Sequence, residues 1–102
     1  MKWIDAGAAE GLAEGKTLSV AIGRRMIAVV RAEGRIFAIE DVCTHDGAPL
    51  TGGEIEGTEI VCPRHGARFC LKTGEALTAP AYEPVRVFET KVEDGRIWVR
   101  AG

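Results

Sequence analysis

Apolar residues recur along this chain in short runs, some alternating with polar positions and some unbroken, separated by glycine-centred turns. Residues 18–22 (Leu-Ser-Val-Ala-Ile) and 26–30 (Met-Ile-Ala-Val-Val) predict two strands joined by a tight turn at Gly23-Arg24. A second turn at Glu33-Gly34 leads into a third strand over residues 35–39. Shorter strands are expected over 59–61 and 67–71. Residues 85–93 and 96–100 flank Asp94-Gly95, a strong hairpin signal, because such two-residue turns need positive φ and glycine adopts it without steric penalty. Helix is poorly supported. Its best candidate, residues 7–14, is interrupted at Gly11 and bounded by Gly15, so one turn or a loop is expected. The spacing predicts an all-β chain of small antiparallel sheets, a sandwich or barrel. With no internal repeat and no low-complexity linker, residues 1–102 read as a single domain.

Two stretches break the strand pattern. Residues 43–49, followed by Thr51-Gly52-Gly53, are rich in glycine and proline without alternation, and residues 62–66 form a matching interruption. These define two loops, about 41–53 and 62–70, and each holds one cysteine and one of the chain's two histidines.

Composition narrows what those loops can do. At 102 residues and 46% apolar, the chain can bury roughly two thirds of the surface it exposes when unfolded. No apolar run approaches the ~18 residues of a membrane helix, and the start Met1-Lys2-Trp3-Ile4-Asp5 lacks the features of a signal peptide. A cytoplasmic location with no membrane partner is therefore expected. Thirteen basic against 15 acidic residues argue against a broad nucleic-acid-binding face. In such a chain, three cysteines point to metal or thiol chemistry before disulfides.

The ligand-type residues run Cys43-Thr44-His45, then sixteen residues, then Cys62-Pro63-Arg64-His65. Two Cys and two His form a common zinc set, but zinc sites usually place a Cys pair before a His pair. Here the types alternate, so each loop contributes one of each. That order suits a site in which the two Cys bind one metal and the two His a second, and zinc remains the competing reading.

Cys-Thr-His followed by Cys-Pro-x-His-Gly-x-x-Phe and Thr-Gly, over residues 43–74, closely resembles the Rieske-type [2Fe–2S] ferredoxins of bacterial ring-hydroxylating dioxygenase systems. The resemblance extends over most of the chain. It implies one [2Fe–2S] cluster, with Cys43 and Cys62 as thiolates on the inner iron. His45 and His65 would bind the outer iron through Nδ1, leaving Nε2 toward solvent. Two ferric ions, two sulfides and two thiolates sum to neutrality, which raises the potential above that of four-thiolate ferredoxins.

The resemblance also implies a tuning. The respiratory type has an extra Cys in each loop, where this chain has Ala48 and Arg64, so that bridge cannot form. Its Ser and Tyr hydroxyls, which donate to sulfur, are replaced by Ala67 and Phe69. Fewer donors leave the reduced centre less stabilised, placing the potential toward the low end of roughly −150 to +300 mV. Leu50 and residues 80–84 are expected to shield the centre, with Tyr82 as a packing residue. Asp41, Asp46, Arg64 and Arg68 are expected near the ligands, either selecting docking partners or simply solvated. Cys70 reads as a small buried side chain, and Trp3, Phe37, Phe88 and Trp98 as core or edge packing.

The expected function is one-electron transfer from an NAD(P)H-dependent flavoprotein reductase to a terminal non-haem iron oxygenase. The chain itself is expected not to be an enzyme. A mononuclear iron triad needs two further histidines, and no G-x-G-x-x-G fingerprint follows a strand. The alternatives are a Rieske-like small subunit of another redox enzyme, such as nitrite reductase, and a zinc-stabilised interaction module.

Overall fold

The computed structural model describes residues 2–101. Its strands are β1 (Lys2–Ala8), β2 (Thr17–Ile22), β3 (Arg25–Ala32), β4 (Arg35–Glu40), β5 (Ile55–Glu56), β6 (Glu59–Val61), β7 (Arg68–Cys70), β8 (Val87–Glu93) and β9 (Arg96–Ala101). All pairings are antiparallel, in a six-stranded sheet of order β1-β9-β8-β4-β3-β2 and a three-stranded sheet of order β5-β6-β7. The expected turns at 23–24, 33–34 and 94–95 are all present, closed by the pairs Ile22↔Arg25, Ala32↔Arg35 and Glu93↔Arg96. In the last two turns both central residues have positive φ (51° and 72°, 54° and 73°), whose twist matches that of the flanking strands.

Two elements were not expected. β1 has no clean alternation and carries an irregularity between Asp5 and Gly7, and its partner β9 lies at the far end of the chain. β5 is only two residues long. The helix candidate resolves into one 3₁₀ turn, Ala9–Gly11, held against β3 by Arg31, which donates to the carbonyls of Leu12 (2.6 Å) and Ala9 (2.8 Å).

Strand periodicity explains how two cores fit into so short a chain. Ile27 and Val29 of β3 and Ala38 of β4 point into one core, shared with Leu12, Ile22, Ile97 and Val99. Residues from both edge strands reach that core, so the six-stranded sheet curls into a barrel-like shape. Ala28 and Val30 of β3 and Phe37 and Ile39 of β4 point the other way, into a second core with Leu50, Ile60, Phe69 and Leu71. The central strands are thus buried on both faces, which is why residues 27–30 read as an unbroken apolar run. Both loops rest on this second face, on the shelf formed by β3 and β4. Phe37 is buried, whereas Trp3, Phe88 and Trp98 are half-buried on the sheet. Lys91 Nζ caps the Trp3 ring at 4.6 Å from its centroid. No helix among the described residues is long and apolar enough to cross a membrane.

Candidate metal centre

The two loops are built alike. In the first, the Cys43 N–H donates to the Ala48 carbonyl (2.6 Å), and the Gly47 N–H donates back to the Cys43 carbonyl (2.7 Å). In the second, the Cys62 N–H donates to Ala67 (2.7 Å) and the Gly66 N–H to Cys62 (3.0 Å). The offsets are identical, and each closing glycine has positive φ, 80° at Gly47 and 74° at Gly66. Each cysteine therefore sits at the base of a small closed turn whose tip carries a histidine.

This construction sorts the donors by depth. Cys43 and Cys62 are fully buried in the second core, whereas His45 and His65 are exposed. The two imidazole rings stand edge to face, with centroids 5.0 Å apart at 89°. Soft thiols lie inside and imidazoles outside, as two metals of unequal ligation require. Burial pushes the Cys43 thiol up, as does the neighbouring Cys62 thiol, while the backbone N–H groups of His45 and Asp46 oppose the rise. A buried thiol becomes a thiolate most readily when a cation holds it, and N–H groups aimed at sulfur stabilise that charge. The residues fit a cysteine- and histidine-ligated iron–sulfur group.

Asp46 joins the loops at the tip. Its Oδ1 accepts the Ala48 N–H (3.0 Å), and its Oδ2 lies 3.4 Å from His65 Nε2 and 3.6 Å from Arg64 Nε. The Ala48 N–H first, then the charges of Arg64 and the histidines, hold its carboxyl below the usual range. Donor atoms of His45, Asp46 and His65 all lie within 4.8 Å of one another. The Asp46 contact uses Nε2 of His65, so Nδ1 on the other side of the ring stays available to a metal.

Several side chains differ from expectation. Asp41 is a buried structural acceptor rather than a docking residue, taking hydrogen bonds from Ser19, Leu50 and Thr51. Arg68 pairs with Glu56 (3.2 Å) and Glu59 (3.4 Å) on the three-stranded sheet, leaving Arg64 as the exposed cation beside Asp46. Tyr82 is 82% exposed, not packed: Ala81 and Val85 take the buried positions of that segment and turn Tyr82 outward. Thr44 Oγ1 donates to the Glu83 carbonyl (2.7 Å), clasping the segment to the first loop. Cys70 is half-buried because Phe69 takes the inner face of β7 and alternation puts Cys70 on the other. The Thr73 hydroxyl holds its thiol below the usual range. Leu50 is fully buried in the second core, and Ala67 and Phe69, also buried, supply no hydroxyl.

Sequence reasoning passed over Gly53. A Cβ there would collide with the Val61 carbonyl and meet the Leu50 carbonyl at 3.0 Å. Val61 immediately precedes Cys62, so this close approach clamps one loop against the other. The only local signal was the Gly52-Gly53 pair. Gly53→Ala should push the loops apart, lowering the melting temperature and the iron bound per chain; a variant with wild-type iron and melting would show that the approach is not needed.

A family model described as Rieske [2Fe-2S] domain matches residues 2–89. The ferredoxin component of the naphthalene 1,2-dioxygenase system of Pseudomonas putida is 37% identical over 99 residues, covering 97% of this chain and 95% of that protein. In the solved complex of reduced oxygenase and oxidised ferredoxin in carbazole 1,9a-dioxygenase, one chain superposes with a TM-score of 0.89 at 36% identity, covering 95% of this chain and 91% of that one. A putative NADH-dependent nitrite reductase small subunit from Mycobacterium tuberculosis shares the fold, with a TM-score of 0.88 at 24% identity and coverage of 99% and 96%.

Proposed function

This chain belongs to the Rieske [2Fe-2S] domain family, and from that membership we propose that it is the ferredoxin component of a ring-hydroxylating oxygenase system, in which residues 1–102 form one Rieske domain. Cys43 and Cys62 hold the inner iron and His45 and His65 the outer one. When bound, the cluster takes up one electron and releases it again. The observation that carries this reading is the depth ordering, with both thiols buried and both imidazoles exposed on loops of the same build.

The chain's own residues divide the remaining work. The second core, with Leu50 and Ala81, excludes water from the thiolate side and lowers the local dielectric. The exposed imidazole edges shorten the path to a partner's cofactor. Ala67 and Phe69 withhold donors from sulfur, keeping the potential low within the Rieske range. Both histidines belong to this centre, so the chain cannot also build the two-His-one-carboxylate site of an oxygenase. The donor is a flavoprotein reductase using NAD(P)H and the acceptor a terminal non-haem iron oxygenase; the place of action is the cytoplasm, without membrane or nucleic acid.

Purified protein should be coloured, hold about two iron and two sulfide per chain, and bleach on one-electron reduction. Stopped-flow mixing of the reduced protein with a ring-hydroxylating oxygenase should reoxidise it in a single phase. A colourless zinc protein would overturn the reading. A potential near the upper end of roughly −150 to +300 mV would overturn the tuning alone. Tight co-elution with a nitrite reductase large subunit would favour the small-subunit role.

A further inference from the structure

The two histidines at the tip are chemically unequal. His65 Nε2 lies 3.4 Å from Asp46 Oδ2, whereas no ion pair or side-chain hydrogen bond is found for His45 among the described residues. Asp46 is itself held in place, since its Oδ1 takes the Ala48 N–H at 3.0 Å and so cannot swing freely away from the ring. Its side chain is 21% exposed and that of Arg64 is 65% exposed, so the carboxylate is the better-shielded member of the pair. The guanidinium, at 3.6 Å, offsets the carboxylate only in part.

We propose that Asp46 lowers the potential of the centre, by holding a negative charge beside the outer-iron ligands. This rests on the ligand set assigned above. With Nδ1 of His65 turned to iron, its Nε2 edge lies 3.4 Å from the Asp46 carboxylate, within ion-pair reach. A carboxylate beside a ligand ring favours the more positive, oxidised state of the metal that ring binds. The same negative charge opposes the arrival of an electron. The charge therefore lowers the potential.

The test is a redox titration of the cluster-loaded protein and its Asp46→Asn, Asp46→Ala and Asp46→Glu variants, followed by visible absorption and electron paramagnetic resonance. Asparagine retains an acceptor for Ala48 but removes the charge. It should raise the ratio of reduced to oxidised protein about tenfold at a fixed applied potential, about 59 mV for a one-electron couple. Alanine should shift the ratio in the same direction, and glutamate should stay near the wild type. In the wild type, the remote nitrogens of the two histidines should differ in hyperfine coupling, and Asp46→Ala should bring them closer together. A merely structural residue would leave the asparagine variant's potential unchanged. Variants that keep a Rieske signal at the wild-type potential overturn the proposal for Asp46 alone. Loss of the centre from all three also overturns it, making Asp46 a residue of assembly. A wild-type protein without iron and sulfide fails earlier, at the ligand set.

Discussion

Replacing either Cys43 or Cys62 by alanine is expected to give a chain with no visible colour and only background iron and sulfide. Each thiol is fully buried at the base of its loop, where no water-borne donor can take its place. The third cysteine cannot substitute, since Cys70 lies on the outer side of β7. The barrel-like sheet should nevertheless survive. Its own core, built on Ile27, Val29, Ile97 and Val99, includes neither cysteine. Far-ultraviolet circular dichroism should therefore stay near that of the parent while metal analysis falls from about two iron per chain to background. A normal Rieske resonance in either variant would remove that cysteine from the ligand set.

The two levels of organisation differ in how far they can be read from the chain. Strands joined by two-residue turns are legible because both partners and the turn lie in one short window. β2–β3, β3–β4 and β8–β9 were all expected, with their turns at the residues observed. β1 escaped because its stability comes from pairing with β9, some ninety positions away, and from Asp5 accepting the Gly7 N–H at the irregular step (2.8 Å). The 27–30 run was legible as a strand, but its burial on both faces depends on a second layer that no local pattern encodes.

At the site, the positions of the four ligand-type residues were legible because each loop holds one Cys and one His close together in sequence, and the structure brings them to one tip in two layers of depth. The direction of their neighbours was not. Asp41, Arg68 and Cys70 lie close to the ligands in sequence, and Tyr82 lies in the segment expected to shield the centre, yet strand alternation and hydrogen bonding turn each to a different task. Asp46 and Gly53 work through partners in the other loop or the strand leading into it, so their roles exist only after folding.

Asp41→Ala is expected to be the most damaging change outside the ligands. The residue ends β4's run and precedes the first loop, and its two carboxylate oxygens collect four hydrogen bonds. Oδ1 accepts the N–H groups of Leu50 (2.7 Å) and Thr51 (2.8 Å), and Oδ2 accepts the hydroxyls of Ser19 (2.8 Å) and Thr51 (2.7 Å). Burial favours the neutral acid, but the donors from Thr51, Ser19 and Leu50 outweigh it and hold the carboxyl below its ordinary value. One side chain thus pins the far end of the loop to the edge strand β2, aided by the Gly52 N–H donating to Thr17 Oγ1 (2.7 Å). Alanine would orphan the Leu50 N–H in the interior and release the loop from Ser19. A buried unpaired donor costs about 1–3 kcal/mol, and the charged hydrogen bonds lost with it bring the total to about 2–4 kcal/mol after allowing for solvent at the Thr51 side. For a chain of this size that is a fall of about 10–20 °C in melting temperature. Asparagine should recover little, because its amide replaces one acceptor with a donor facing donors. Glu89→Ala, which breaks an exposed pair with Arg100, is the matched control and should barely move the transition. Thermal melts of the loaded proteins, followed by circular dichroism and by bleaching of the visible band, decide the matter. If Asp41→Ala melts within about 2 °C of the parent, the carboxylate is not what holds the first loop to the barrel.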